Sequence, residues 1–425
     1  ASNIIKNTIS MDGVVEAKTV TEKDGFFFLG GGDQGTVNVA GTLNASGEEP
    51  GLAGGEITIE GADVRVAEGS IQAKGTDAKG GNITITGTDW VSAGGTMDVS
   101  GETGGNVNIT TGGLYVTAPV LAKGTTGQGG SININTLFKS WELVSAMLDV
   151  SGASGGTIKH FAGQQITTSG KYIAIGTDGI GGSIDVTANT LKFLSNTIDA
   201  SGTMGGGRIR LGGEYQGGKN LAVDEIPNAR TLVMTDAANI TAKTTGADGD
   251  GGRIIVWGDQ EAVVLGQFDV TPGTQSGAGG FVEVSSGDNL TFGGNARTGI
   301  DERHGTLLLD PKNITIADTT VFDASSFMIG QDYADKMLIV VGDSNALAVG
   351  ETITGGTSGA TGVVVLGAAH STSVTYTVTS GTFVSGETIT EETSNFTRTV
   401  SAVTNDIDET LLTDANMGQG TYGTA

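Results

Sequence analysis

The chain has 425 residues, no cysteine, 73 glycines, five prolines and a net charge of −25. Absent cysteine rules out disulfides and thiolate metal sites, so cohesion must come from packing. The acidity argues against nucleic acid, which needs clustered Lys and Arg, and suits an extracellular surface able to attract Ca²⁺.

Taken in chain order, a diglycine returns about every 25 residues, with its second member at Gly55, Gly81, Gly105, Gly130, Gly156, Gly182 and Gly207, then at Gly252 and Gly280. A fixed period in this range marks a solenoid, in which one repeat cannot bury its apolar face without its neighbours. The first clear unit holds three alternating runs, Glu56 to Ile59, Asp63 to Val66 and Ser70 to Lys74, separated by glycine-bearing turns. Three period-two runs predict a three-sided coil. Roughly twelve coils between Val14 and Ile316 at about 4.8 Å each predict a rod on the order of 60 Å long.

The residues after each diglycine carry the alignment. Ile57, Ile83, Val107, Ile132, Ile158, Ile184, Ile209, Ile254 and Val282 share one register. Two residues on, a second aliphatic column is interrupted only by His160. Alternation points both columns inward and the residue between them outward. Outward Lys159, Asp185 and Arg210 alternate in sign, which favours exposed cross-strand pairing. His160 is expected as a hydrogen-bonded core residue, or displaced by a bulge that turns Phe161 inward. Asp98, Asp149 and Asp199, each followed by a small residue and Ser-Gly, recur every second coil. They read as solvent-facing repeat decoration, spaced to soften mutual repulsion.

The step from Gly207 to Gly252 is longer and holds an insertion, about 212–230. Tyr215, Lys219, Asp224, Glu225 and Arg230 make it a candidate binding loop, against the plainer expectation that it packs on the side of the solenoid. Asp178, Asp248 and Asp250 are candidate calcium ligands at Asp-Gly turns, where turn chemistry is the competing explanation. His160, His304 and His370 are widely spaced and supply no metal or nucleophile–base constellation. No apolar run approaches a membrane span, and no charged-then-apolar leader precedes Ala1, so the chain is expected to be a processed product or a segment.

Several segments resemble the repeat region of filamentous-haemagglutinin-type exoproteins, large adhesins exported by bacterial two-partner secretion. They are Asp199-Ala200-Ser201-Gly202 with Gly205-Gly206-Gly207, Gly212-Gly213-Glu214-Tyr215-Gln216-Gly217, Pro227-Asn228-Ala229-Arg230, Gly251-Gly252-Arg253-Ile254-Ile255-Val256-Trp257, Gly279-Gly280-Phe281-Val282-Glu283-Val284-Ser285, and Gly305-Thr306-Leu307-Leu308-Leu309-Asp310-Pro311. The resemblance spans residues 1 to about 316. It implies a right-handed parallel β-helix, an outer-membrane transporter during export, and adhesive or structural work at the cell surface. On this reading the family's amino-terminal secretion domain has no counterpart in the sequence.

Residues 317–425 leave that pattern. Gly350-Glu351-Thr352-Ile353-Thr354 returns as Gly386-Glu387-Thr388-Ile389-Thr390, each copy followed by a Ser/Thr-rich strand. This is similar to short β-repeats of virion and large surface proteins, and predicts a small separate β module. The expectation is therefore an all-β chain: a three-sided solenoid over 1–316 and a β module over 317–425. It is non-enzymatic, needs no cofactor beyond possible Ca²⁺, and self-associates head to tail or meets a host-cell or glycan surface. The alternatives are a polysaccharide-degrading β-helix enzyme and a phage tail or spike protein.

Overall fold

A computed structural model of the chain describes residues 8–11, 14–16, 25–32, 34–67, 69–218, 226–316, 336–341, 352–367, 373–380, 383–384, 387–391 and 397–405. The chain divides into two units, between Phe322 and Asp323.

The first unit is a β-solenoid of about 11 coils. Each coil supplies three strand segments, and segments of successive coils pair in parallel, forming an 18-stranded and an 11-stranded sheet. The expected register holds from coil to coil: Ile57 pairs with Ile83, Ile83 with Val107, Val107 with Ile132, Ile132 with Ile158 and Ile158 with Ile184. It continues through Ile209, Ile254 and Val282 to Leu307. The column residues from Ile57 to Val282 have no exposed surface. Burying each such side chain is worth about 1.5–3 kcal/mol, which coil stacking supplies and an isolated coil could not.

One expectation changes. The first two segments of a coil are often a single bent strand, as in Glu56–Val66, Asn106–Val116 and Thr157–Thr168. Register slips at the bend, for example between Gly61 and Asp63, where a bulge turns the strand without giving up its pairing to the next coil. The third segment is short, as in Ser70–Gln72 and Thr96–Asp98.

The diglycine is set by crowding. A Cβ on Gly54 would stand 2.0 Å from the Ala73 carbonyl oxygen that closes the same coil, and one on Gly55 would stand 2.0 Å from Gly25 O in the coil before. At that corner Gly81 N donates to Ala73 O at 2.7 Å, and Gly105 N to Val99 O at 2.8 Å. Neither diglycine position needs a left-handed backbone; the corner is simply too tight for a side chain.

The two-coil super-period also has a cause. Asp98, Asp149 and Asp199 each accept the backbone N–H two residues on, at 2.9, 2.9 and 2.8 Å. The serine that follows, Ser100, Ser151 or Ser201, accepts a backbone N–H from the next coil, that of Lys123, Ile175 or Lys243. One Asp-x-Ser thus serves the corner of two coils, so every second coil needs none. Asn44 and Ser46 do the same in the first full coil. These aspartates are turn acceptors rather than decoration, and Asp149 is buried.

In the second unit six antiparallel strands close into a barrel: Lys336–Val341, Ser373–Ser380, Thr361–Gly367, Thr352–Gly355, Thr388–Glu391 and Thr397–Asn405, in that spatial order. The two sequence repeats pair with each other, Thr354 opposite Thr390. Glu387 of the second copy accepts the backbone N–H groups of Thr357 and Ser358 in the turn of the first, and that of Val384. Burial alone would raise its pKa; these bonds hold its carboxyl below the usual range. Gly350, Glu351 and Gly386 lie outside the described residues.

Candidate functional site

The described part of the insertion packs on the solenoid. Gly212 and Gly217 adopt φ of 79° and 67°, and Gln216 a φ of 51°, folding the start of the insertion into a tight turn over Tyr215–Gly218. A Cβ on Gly217 would meet the Trp257 indole, so the turn lies directly on that ring. Gln216 N donates to Glu283 Oε1 at 3.0 Å and its side-chain amide to Asp310 Oδ2 at 3.2 Å. Further on, Thr187 donates to Pro227 O at 2.7 Å and Asn228 to Asp259 at 3.0 Å. The described parts of the insertion, 212–218 and 226–230, act as a strap tying several coils together.

Under it lies an outward column, Asp185, Arg210, Ile255 and Glu283, in successive register. All four are buried, with Asp185 and Arg210 at 1% and 2% exposure. The sequence expectation of an exposed ion-pair ladder is corrected here, because the strap shields these positions. Arg210 donates from Nε and Nη2 to both Asp185 oxygens at 2.7 Å, and from Nη1 to Glu214 at 2.5 Å. Burial works against its charge, but the two carboxylates outweigh it and raise its pKa. Burial pushes the Glu283 carboxyl up, only partly relieved by the Gln216 N–H, Ser285 and Arg253.

Of the loop candidates, Tyr215 is half-buried, set edge-on to Phe281 at 5.9 Å between ring centroids. Arg253 stacks over both rings, at 5.0 and 4.9 Å. Arg230 is exposed and donates to Gln260 at 2.7 Å. Lys219, Asp224 and Glu225 fall outside the described residues. Arg253, absent from the sequence-derived candidates, emerges as a central residue; its place beside Tyr215 depends on the path of the strap.

The calcium candidates do not converge. Asp178 is exposed in a turn; Asp248 accepts the Ser276 hydroxyl at 2.6 Å and Asp250 the Ala278 N–H at 2.7 Å. Among the described residues no group of three or more His, Asp or Glu could hold a metal ion.

His160 keeps its place in the inward column, between Ile134 and Val186, and no bulge displaces it. Its Nδ1 lies 2.7 Å from Glu142 Oε1 and 3.2 Å from the Tyr172 hydroxyl, which donates to Glu142 Oε2. The carboxyl is fully buried, which alone would raise its pKa; His160, Tyr172 and Thr168 together hold it below the usual range. Burial and the Glu142 charge push the Tyr172 hydroxyl well above its ordinary value. Nearby Asn196 donates to Thr168 Oγ1 and to Gly170 O, both at 2.9 Å. This polar cluster is enclosed by the core.

A groove of about 840 Å³ follows the diglycine corner, floored by pairs such as Gly181-Gly182 and Gly251-Gly252 and walled on one side by Ser183, Arg208 and Arg253. Among the described residues no helix is long and apolar enough to cross a membrane.

No family model matches the sequence, and no curated protein matches it. Among solved structures the chain is similar to the HMW1 secretion domain from Haemophilus influenzae, with 18% identity over 68% of this chain and 87% of that chain. The TM-score is 0.31, too loose a superposition to bear on function.

Proposed function

We propose that the chain is a secreted, non-enzymatic β-solenoid that works outside a bacterial cell as a structural or adhesive component. It is of the filamentous-haemagglutinin type and is exported by a two-partner transporter. The observation that supports this reading is the unbroken inward column from Phe27 to Leu307. Such a stack makes a stiff body whose long outer faces are available for contact. Those faces carry polar ladders: Asn106 donates to Asn82 Oδ1 at 2.8 Å, and Ser131 to Asn106 Oδ1 at 2.7 Å. The segments quoted above, from Asp199 to Pro311, supply the link to the exoprotein family.

The test is surface labelling and cell binding. Antibody against the chain should label intact cells or the medium, and the purified protein should coat target cells. Retention inside the cell, with no binding of the purified protein to any surface, would overturn the reading.

The same proposal includes head-to-tail association. Leu307, Ile314 and Ile316, on the last described solenoid strands, are 39%, 47% and 66% exposed, and among the described residues no further strand pairs with this parallel edge, the kind of edge that takes strand addition. A contact of this kind does not close on itself and so produces filaments. Electron microscopy at high protein concentration should show end-joined rods; separate short rods alone would remove this part.

A further inference from the structure

We propose that the diglycine groove is a binding site for a linear, uronate-bearing polysaccharide, with Arg253 as the contact for a sugar carboxylate. This rests on the adhesive reading and gives it a site and a ligand class.

Shape supplies the first argument. The corner lacks side chains because the coils crowd there, so a channel runs across successive coils rather than along a strand. Its wall residues Thr157, Ser183, Arg208, Arg253 and Phe281 sit one per coil. Four strand spacings make the channel about 19 Å long, enough for several sugar units of an extended chain. Exposed Ile180, at 59%, lines it on the turn side.

The floor rules out a peptide added by strand pairing. The backbone N–H groups of Ser183, Arg208, Arg253 and Phe281 already donate to Gly156, Gly182, Gly207 and Gly252 carbonyls, at 2.9, 2.9, 2.9 and 3.0 Å. These main-chain donors are not free for a ligand strand. What remains are side-chain hydroxyls, the Arg208 and Arg253 guanidinium groups, the Gln128 amide and the Phe281 ring, which suit a hydroxyl-rich ligand carrying acids, with the Asp250 carboxylate, which accepts the Ala278 N–H, at the edge of the lining.

Arg253 supplies the charge. It directly adjoins Arg208 in the neighbouring coil, a like-charge pairing that costs stability without a counter-ion. Arg208 has its own anion, Asp185, at 3.8 Å, and Asp185 and Glu214 also hold Arg210. The Arg253 guanidinium is exposed and makes no hydrogen bond or ion pair among the described residues. Its near charges are Glu283, whose pKa burial raises, and Glu214, whose pKa is lowered against its burial by the Tyr215 N–H, Arg210 and Arg253. Tyr215 and Phe281 hold the guanidinium in place while leaving its N–H donors open.

The experiment is titration calorimetry of the full chain with oligogalacturonate and with its methyl ester. The acid form should bind and weaken as salt rises; the ester should bind at least tenfold more weakly. Arg253→Gln should lose tenfold or more, as should Ser183→Phe, which narrows the channel with Arg253 intact. Arg65→Gln, on another face, should bind like the parent, and unchanged melting curves would show each variant folded. No binding of the acid form, equal binding of the ester, or undiminished binding by folded Arg253→Gln would overturn the proposal. Cell-coating assays with the same proteins separate the two readings. Oligogalacturonate binding without cell coating would remove the adhesive function and leave the site; Arg253-independent coating without oligogalacturonate binding would do the reverse.

Discussion

Glu142 sits among the inward aliphatic columns as a buried carboxylate, and its partners decide what it contributes. Removing it alone takes the carboxylate acceptor from His160 and Tyr172 and leaves them only each other in a buried core. Glu142→Leu is therefore expected to cost about 3–5 kcal/mol, seen as a lower urea midpoint. Replacing all three polar groups at once, with His160→Leu, Glu142→Leu and Tyr172→Phe in one protein, should recover much of that loss. The carboxyl is held below its ordinary pKa, so its stabilisation is in force above about pH 4.3. It is lost as pH falls through the lowered value, and the pH dependence of the urea midpoint below about pH 4.3 should flatten in the triple variant. His160 is recognisable from sequence as a core residue because it breaks an aliphatic register. Its partners are not, since Glu142 and Tyr172 come from other segments and meet it only when the coil closes.

At the scale of the element, the strap shows burial changing the meaning of a charge pattern. Asp185 and Arg210 alternate as an exposed ladder would, yet the strap removes them from water and turns a surface pair into a buried bidentate one. Glu283 under the same strap has its pKa raised by burial, so its folded form favours the proton. That contribution is present below its unfolded value, about 4.3, and is lost as pH rises through the folded value. Glu283→Gln should thus raise the melting temperature at pH 7 by a few degrees and lose that advantage near pH 4; a lower melting temperature at pH 7 would contradict this. In the second unit, Glu387 carries the opposite sign. Its lowered pKa makes its contribution present above about pH 4.3 and lost in acid. Glu387→Ala should cost about 1–3 kcal/mol through the unmet N–H groups of Ser358 and Val384, read as a lower melting midpoint of the barrel.

Across the whole molecule, stability is a chain of nearest-neighbour stacks plus an independently closed barrel. Gly130→Val places a side chain where a Cβ would lie 1.9 Å from Gly105 O, between two coils. Hydrogen exchange should then rise in the coils flanking that corner, from Asn106 to Thr168, while the strands of 336–405 keep their protection. A uniform rise through both units would show instead that the chain opens as one cooperative body.

The period and the inward columns are properties of the sequence, because stacking demands the same apolar positions in every coil and leaves them visible as a repeat. The paired GETIT-type copies are legible for the same reason. Tertiary structure alone decided that the diglycine answers to crowding, that one Asp-x-Ser serves two corners, and that Arg253 stands between Tyr215 and Phe281. Each of these joins residues from different coils or from the strap. The diglycine and the Asp-x-Ser recur in the sequence, but which atoms they meet does not show there, the strap contact has no period at all, and only the closed, stacked path of the backbone brings these groups together.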